Sequence, residues 1–207
     1  MSEDALVDLN ERVRHLIAQV RALDAPDDVL AAAGRAIDAV SAQLEPYAYE
    51  GPFLQSQLRG REEPQDFGGE TNPHVFFPYS PIIGDKNPVA PPVRMWFDEE
   101  RMHGRAVFGA PYVGPPSMVH GGVIALTFDE LLGTLGVALG LGGFTGTLSV
   151  RFERPTPLQE VVTMDAWHDR TEGRKVFLAG RICHGEAVTA TAQGVFIRTQ
   201  TTLGAGT

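Results

Sequence analysis

The chain has 207 residues, 43% of them hydrophobic and 21% charged, with a formal net charge of −9. Such a composition is that of a globular protein with one well-packed core and material left for an appendage. The acidic balance repels nucleic acid at long range, and a lone cysteine, Cys183, excludes an intramolecular disulfide framework.

Charge is unevenly spread. Through residue 128 there are ten Lys/Arg against eighteen Asp/Glu, whereas residues 131–207 hold seven against six. A phosphate-bearing ligand would need local cations in the C-terminal part, where Arg151, Arg154, Arg174 and Lys175 are available. The opening MSEDALVDLNERVRHL has early acids and no unbroken apolar run, unlike a secretory signal or transit peptide. Together with the single cysteine, this leads to the expectation of a cytoplasmic setting.

Residues 1–45 are expected to form a helical extension. Leu6, Leu9, Val13, Leu16, Ile17 and Val20 recur at three- and four-residue steps, Asp24-Ala-Pro-Asp interrupts, and a second helix runs from about Asp28 to Leu44, ahead of Pro46. Such a stripe signals burial against the main domain or a partner subunit rather than catalysis. Residues 46–92 carry nine prolines, which break regular structure, yet Phe76, Phe77, Tyr79, Ile82 and Ile83 are too apolar for a solvated linker. This is a wrapping segment, expected to lie against the sheet.

From 93 to 200 regular structure returns. VRMWF (93–97) and GRAVFG (104–109) flank the charged turn Asp98-Glu99-Glu100-Arg101 and form a hairpin. A long helix starts near His120 and ends about Leu139, followed by strand-like runs at 145–154, 160–169, 174–184 and 187–199. Residues 201–207 read as a flexible tail. The order is α+β, and an antiparallel sheet wrapped around one central helix, the hotdog fold, satisfies it.

Between Ala106 and Val150 the only full charges are Asp129 and Glu130, at mid-helix. A helix apolar almost all round is buried, and two adjacent acids together with interleaved glycines favour a core helix over a membrane span. Val123, Ile124, Phe128, Leu131, Leu132 and Leu135 share one side, while Asp129 lies on a stripe of small residues that a backbone or ligand can approach. A carboxylate there is expected to be partly desolvated and a better base, or else to accept hydrogen bonds from a neighbouring strand. Glu130 falls nearer the helix edge and reads as structural. At the helix start, SMVHGG leaves backbone N–H groups free at a helix N-terminus, which suits developing negative charge.

VHGGVIALTFD, with Asp nine residues after His, resembles the signature of PaaI-like hotdog thioesterases. The likeness continues through TGTLSVRFERPTPL, EGRK and FIRT, and covers about residues 93–200. Within that superfamily it looks most like the members that hydrolyse fatty acyl-CoA. The resemblance implies Asp129 as general base or nucleophile, the Gly121 N–H as donor to the thioester carbonyl, His120 shaping the turn, and Thr145 helping to position water. Thr147, two residues on and taken to share its face, is the reserve. Gly122, Thr147, Arg154, Arg174 and Lys175 are the candidate substrate contacts. One departure stands out: Gly114 occupies the place where some relatives have Asn.

The resemblance further implies an acyl-CoA substrate and no cofactor or metal. The acidic charge argues against nucleic acid, and the mid-helix acids argue against stable membrane insertion. The distance of about 12 Å from Gly121 to Asp129 along one helix calls for a homodimer, or a dimer of dimers, with shared sites. The remaining histidines lack partners at metal-ligand spacing. Two rival readings are a hotdog hydratase or dehydratase, faintly suggested by HVFFPYS, and a non-catalytic acyl-CoA-binding module.

Overall fold

The computed structural model describes residues 3–59 and 69–198; the expected tail at 201–207 lies outside them. Two N-terminal helices, α1 (Glu3–Arg21) and α2 (Asp27–Leu44), precede a segment whose described residues form a 3-10 turn (Glu45–Tyr47) and the single-turn helix α3 (Pro73–Phe76). Strands β1 (Val93–Asp98) and β2 (Arg101–Val107) follow, then the long helix α4 (Gly121–Ala138). Strands β3 (Phe144–Phe152), β4 (Val161–Glu172), β5 (Lys175–His184) and β6 (Ala187–Ile197) complete the fold.

The six strands form one antiparallel sheet in the order β1-β2-β4-β5-β6-β3. This leaves β1 and β3 as the edges. Strand β2 begins at Arg101, earlier than the expected 104, because the loop is only two residues long. Glu99 and Glu100 both take positive φ, 49° and 60°, the requirement of a tight turn whose twist matches the strands.

The sheet curls around α4, and Phe128, Leu131, Leu132 and Leu135 lie wholly buried against Met102, Val162, Met164, Val176, Leu178 and Ile182. By length and composition α4 could cross a membrane. Here it is the core helix. Its C-terminus closes as a Schellman turn, Leu141 N–H donating to Gly136 O (2.8 Å) and Gly140 N–H to Val137 O (3.0 Å), with Gly140 at φ 67°.

The proline-rich segment does wrap the core. Phe76, Ser80, Ile82, Ile83 and Ala90 are each at most 3% exposed. His74 fastens this strap to the sheet: its Nε2 accepts from Met95 N–H (3.1 Å), which leaves Nδ1 as the donor to Ile83 O (2.9 Å). Burial pushes the His74 pKa down, the Ile83 bond and the Asp85 charge opposing.

The two N-terminal helices do not pack on the main domain as a hairpin. Only the first half of α1 docks, through the buried Asn10 and through Arg14, whose Nη1 donates to Asn87 O at 2.9 Å. Helix α2 has no buried residue.

Gly84 shows how tightly the strap folds. A Cβ there would meet Ser80 O at 2.5 Å and Pro78 O at 2.7 Å, both backbone atoms that cannot yield by a side-chain rotation. Gly84→Ala is expected to cost about 1–3 kcal/mol of stability, read as a lower denaturant midpoint at unchanged m-value.

Candidate active site

Helix α4 begins at a turn built around His120. The His120 N–H donates to Tyr112 O (2.9 Å), and its side chain caps the helix, Nδ1 accepting from Gly122 N–H (2.9 Å). Val123 and Ile124 donate to the His120 carbonyl. Among the described residues, no protein acceptor takes the Gly121 N–H. That one unengaged donor opens on a cavity of about 380 Å³ lined in part by Met118, Val119, Gly121, Ile124, Phe152 and Arg154. A group bearing developing negative charge would be favoured there by the N–H and by the helix dipole.

The departure at Gly114 has a steric cause. A Cβ at 114 would lie 2.7 Å from His120 Cα. No side chain can occupy this position while the turn keeps its shape.

Asp129 lies two turns further along α4, partly exposed, and its Oδ1 accepts from Thr145 Oγ1 at 2.8 Å. Thr145 opens the edge strand β3, and the bond leaves Oδ2 without a protein partner among the described residues. Thr147 does not share its face. A bulge between them pairs Thr145 with Phe196 but Thr147 with Val195, so the two threonines point to opposite sides of the sheet. The expectation that Thr147 could substitute for Thr145 fails for this reason.

The cations divide between the two ends of β3. Arg154 lines the Gly121 cavity, with Nη1 3.5 Å from Val188 O. Arg174 and Lys175 lie at the opposite end, where Lys175 and Phe144 both align with Ile197. Gly121 and Asp129 themselves lie about 12 Å apart along the helix axis. A Cβ on Gly121 would touch Phe152 at 3.4 Å, whereas Asp129 bonds Thr145, seven residues and roughly 23 Å back along β3.

Glu130 has the structural role expected of it, but it lies deeper than a place near the helix edge implies. Its carboxylate is enclosed by the strap and accepts from Ser80 Oγ at 2.7 Å. Ser80 Oγ itself accepts from Ile82 N–H (3.0 Å) and Ile83 N–H (3.2 Å), so its one proton goes to Glu130. Burial pushes the Glu130 carboxyl up to about 7, the Ser80 bond opposing and the Asp129 charge adding. The only sequence signal was a serine followed by the turn P-I-I-G, and it named no partner. Among the described residues no cluster of His, Cys, Asp and Glu could hold a metal ion.

The fold and this helix start define a class, the hotdog domains. Residues 117–191, over a third of the chain, match the family model of the thioesterase superfamily. It is 37% identical over 93 residues to acyl-coenzyme A thioesterase THEM4 of Bos taurus, covering 44% of this chain and 38% of the relative. To THEM4 of Xenopus laevis it is 40% identical over 91 residues, 42% of this chain and 41% of the relative. The chain thus matches well under half the length of these curated relatives. A crystal structure of a thioesterase superfamily protein shares 28% identity and a TM-score of 0.80, over 93% of this chain and 90% of that one.

Because Glu130 keeps its proton to higher pH when folded, the folded chain binds more protons than the unfolded between about 4.5 and 7. This contribution to stability is full below the lower value and is lost as pH rises through the upper one. Glu130→Gln stays neutral and can still accept from Ser80. It is expected to match the wild type in thermal unfolding near pH 4.5 and to be more stable above pH 8, by on the order of 3 kcal/mol.

Proposed function

We propose that the chain hydrolyses acyl-CoA thioesters in a two-fold homodimer. Water adds to the carbonyl carbon, the C–S bond breaks, and a carboxylic acid and the free CoA thiol are released. Asp129 takes the proton from water, or attacks the carbon itself. Thr145 holds one carboxylate oxygen and so aims the other. The Gly121 N–H donates to the carbonyl oxygen as it becomes an oxyanion.

The observation that carries this reading is the one first-turn N–H left unengaged on the helix that also bears Asp129. The names of the curated relatives support the reaction class, and the largely apolar wall of Met118, Val119, Ile124 and Phe152 suits a fatty acyl chain. Arg154 from one side and Arg174 with Lys175 from the other are the cations for the CoA phosphates. Gly122, its N–H engaged by His120, shapes the turn around the thioester. A buried, unpaired Cys183 suits a reducing, cytoplasmic setting.

The dimer follows from distance. A base and an oxyanion donor must each lie within ~3 Å of one thioester group, which the two half-sites of a single chain do not. Strand β3 is an edge, with Thr145 and Phe152 near its two ends. Antiparallel pairing of β3 with its symmetry mate would lay Thr145 and Asp129 of one protomer beside Phe152 and Gly121 of the other.

Asp129→Asn keeps the shape and the Thr145 bond but cannot act as a base. Thiol release should fall at least about 100-fold in kcat with the melting temperature little changed; near-wild-type turnover would show that Asp129 is structural.

Complementation tests the shared site. Gly121→Pro removes the donor N–H, yet it suits the first helical position, and His120 already has the extended backbone (φ −61°, ψ 133°) that a following proline requires. Asp129→Asn and Gly121→Pro homodimers should each be nearly inactive. Mixed dimers should regain one working site of the two, about half the wild-type kcat. Folded mixed dimers no more active than either parent would exclude the shared arrangement.

A further inference from the structure

The first half of α1 rests on the turn that starts α4. Leu6, Leu9, Asn10, Val13 and Arg14 recur at steps of three and four and are buried or part-buried, whereas every residue from His15 to Arg21 is exposed. The face they form packs against the 3-10 turn Ala110–Tyr112.

That 3-10 turn is one support of the helix start. Tyr112 O accepts from the His120 N–H, and the loop between them is cross-tied by Gly114 N–H donating to Met118 O at 2.9 Å. A shift of Tyr112 is therefore passed to His120, and from there to the Gly121 N–H one residue on.

What fixes α1 to this support is slender. Among the described residues, α1 sends a single hydrogen bond to the rest of the fold, from Arg14 Nη1 to Asn87 O of the strap. Asn10 is 5% exposed, yet its Nδ2 has no acceptor among the described residues. An unmet buried donor counts against docking, so the docked helix leans on Arg14. The same guanidinium lies close enough to Tyr112 for its charge to oppose the rise that burial gives the phenol pKa. Arg14 thus stands between the strap and the turn, at the last docked position of α1. Arg12, two residues earlier, has no such place: its side chain is 74% exposed and pairs with Asp8 of its own helix.

We infer that Arg14 is a positioning residue, which seats α1 against Ala110–Tyr112 and so holds the His120 turn that presents the Gly121 N–H. It acts through Tyr112 and His120 and touches no substrate. The catalytic consequence rests on the proposed role of the Gly121 N–H as oxyanion donor; the seating of the turn does not.

Three full-length variants test it: Arg14→Ala, Arg14→Lys and, as a control on the same helix, Arg12→Ala. Hydrogen exchange reads the turn with no substrate present. In Arg14→Ala the hydrogen-bonded amides of His120 and Gly122 should exchange at least about fivefold faster than in the wild type, while those of Leu131, Leu132 and Leu135 keep their rates. Lysine can still donate to Asn87 O and keeps the charge beside Tyr112, so Arg14→Lys should restore slow exchange. Arg12→Ala should change nothing. Thiol release from lauroyl-CoA reads the consequence. A displaced oxyanion donor is missed only in the transition state, so kcat of Arg14→Ala should fall about tenfold with KM nearly unchanged, and Arg14→Lys should recover most of it.

Unchanged exchange at His120 and Gly122 in Arg14→Ala, or an equal effect from Arg12→Ala, would overturn the inference whatever the activity. Faster exchange throughout α4 would mark a general loss of stability and overturn it as well. Faster exchange confined to the turn, with kcat unchanged, would uphold the seating and refute Gly121 as the oxyanion donor.

Discussion

Burying a helix that carries adjacent carboxylates sets a condition on everything around it. Hydrophobic burial of Phe128, Leu131, Leu132 and Leu135 draws α4 into the sheet, and Asp129 and Glu130 go with it. An enclosed, unpaired carboxylate costs several kcal/mol, which makes a donor essential for Glu130 and merely favourable for the partly exposed Asp129. The fold supplies two from opposite directions, Thr145 from the edge strand and Ser80 from the strap. One acid is left facing an open edge, available to a ligand. The other is sealed in and ties a segment fifty residues upstream to the helix.

Much of this was legible in the residues. The apolar run from Ala106 to Val150, broken only by the acid pair, identified the core helix, and the strand-like runs on either side of it were legible along the chain, though not their order in the sheet. The strap was recognisable because Phe76, Ile82 and Ile83 are too apolar for solvent. Other features depend on contacts distant in sequence. A helical wheel gives the angle of Glu130 but not the depth of what lies against it, so its enclosure by Ser80 was invisible. The bulge around Gly146 was hidden inside what looked like plain alternation, and it put Thr147 on the wrong side. At the N-terminus the stripe correctly signalled a surface in need of cover. A stripe says nothing about whether the cover comes from the same chain, and α2 shows that inside this chain it does not.

The half-sites obey a common geometric logic. Gly121 and its cavity sit by Phe152, Asp129 sits by Thr145, and β3 is the ruler between them. A single chain cannot shorten that ruler, because pairing with β6 keeps the strand extended. Any arrangement that joins the two chemistries has to reverse the ruler's direction, as a two-fold axis across the strand does.

Strand β3 also carries a hazard. Its nine residues, FTGTLSVRF, include one charge and neither proline nor lysine, and Phe144 and Phe152 are 75% and 55% exposed. Proteins usually blunt a free sheet edge with such residues, because unpaired N–H and C=O groups otherwise template the addition of further strands. Here the edge is unguarded. Left unpaired, such an edge is a template for open-ended strand addition, so the strand that the proposed dimer would use to align two half-sites is also a liability.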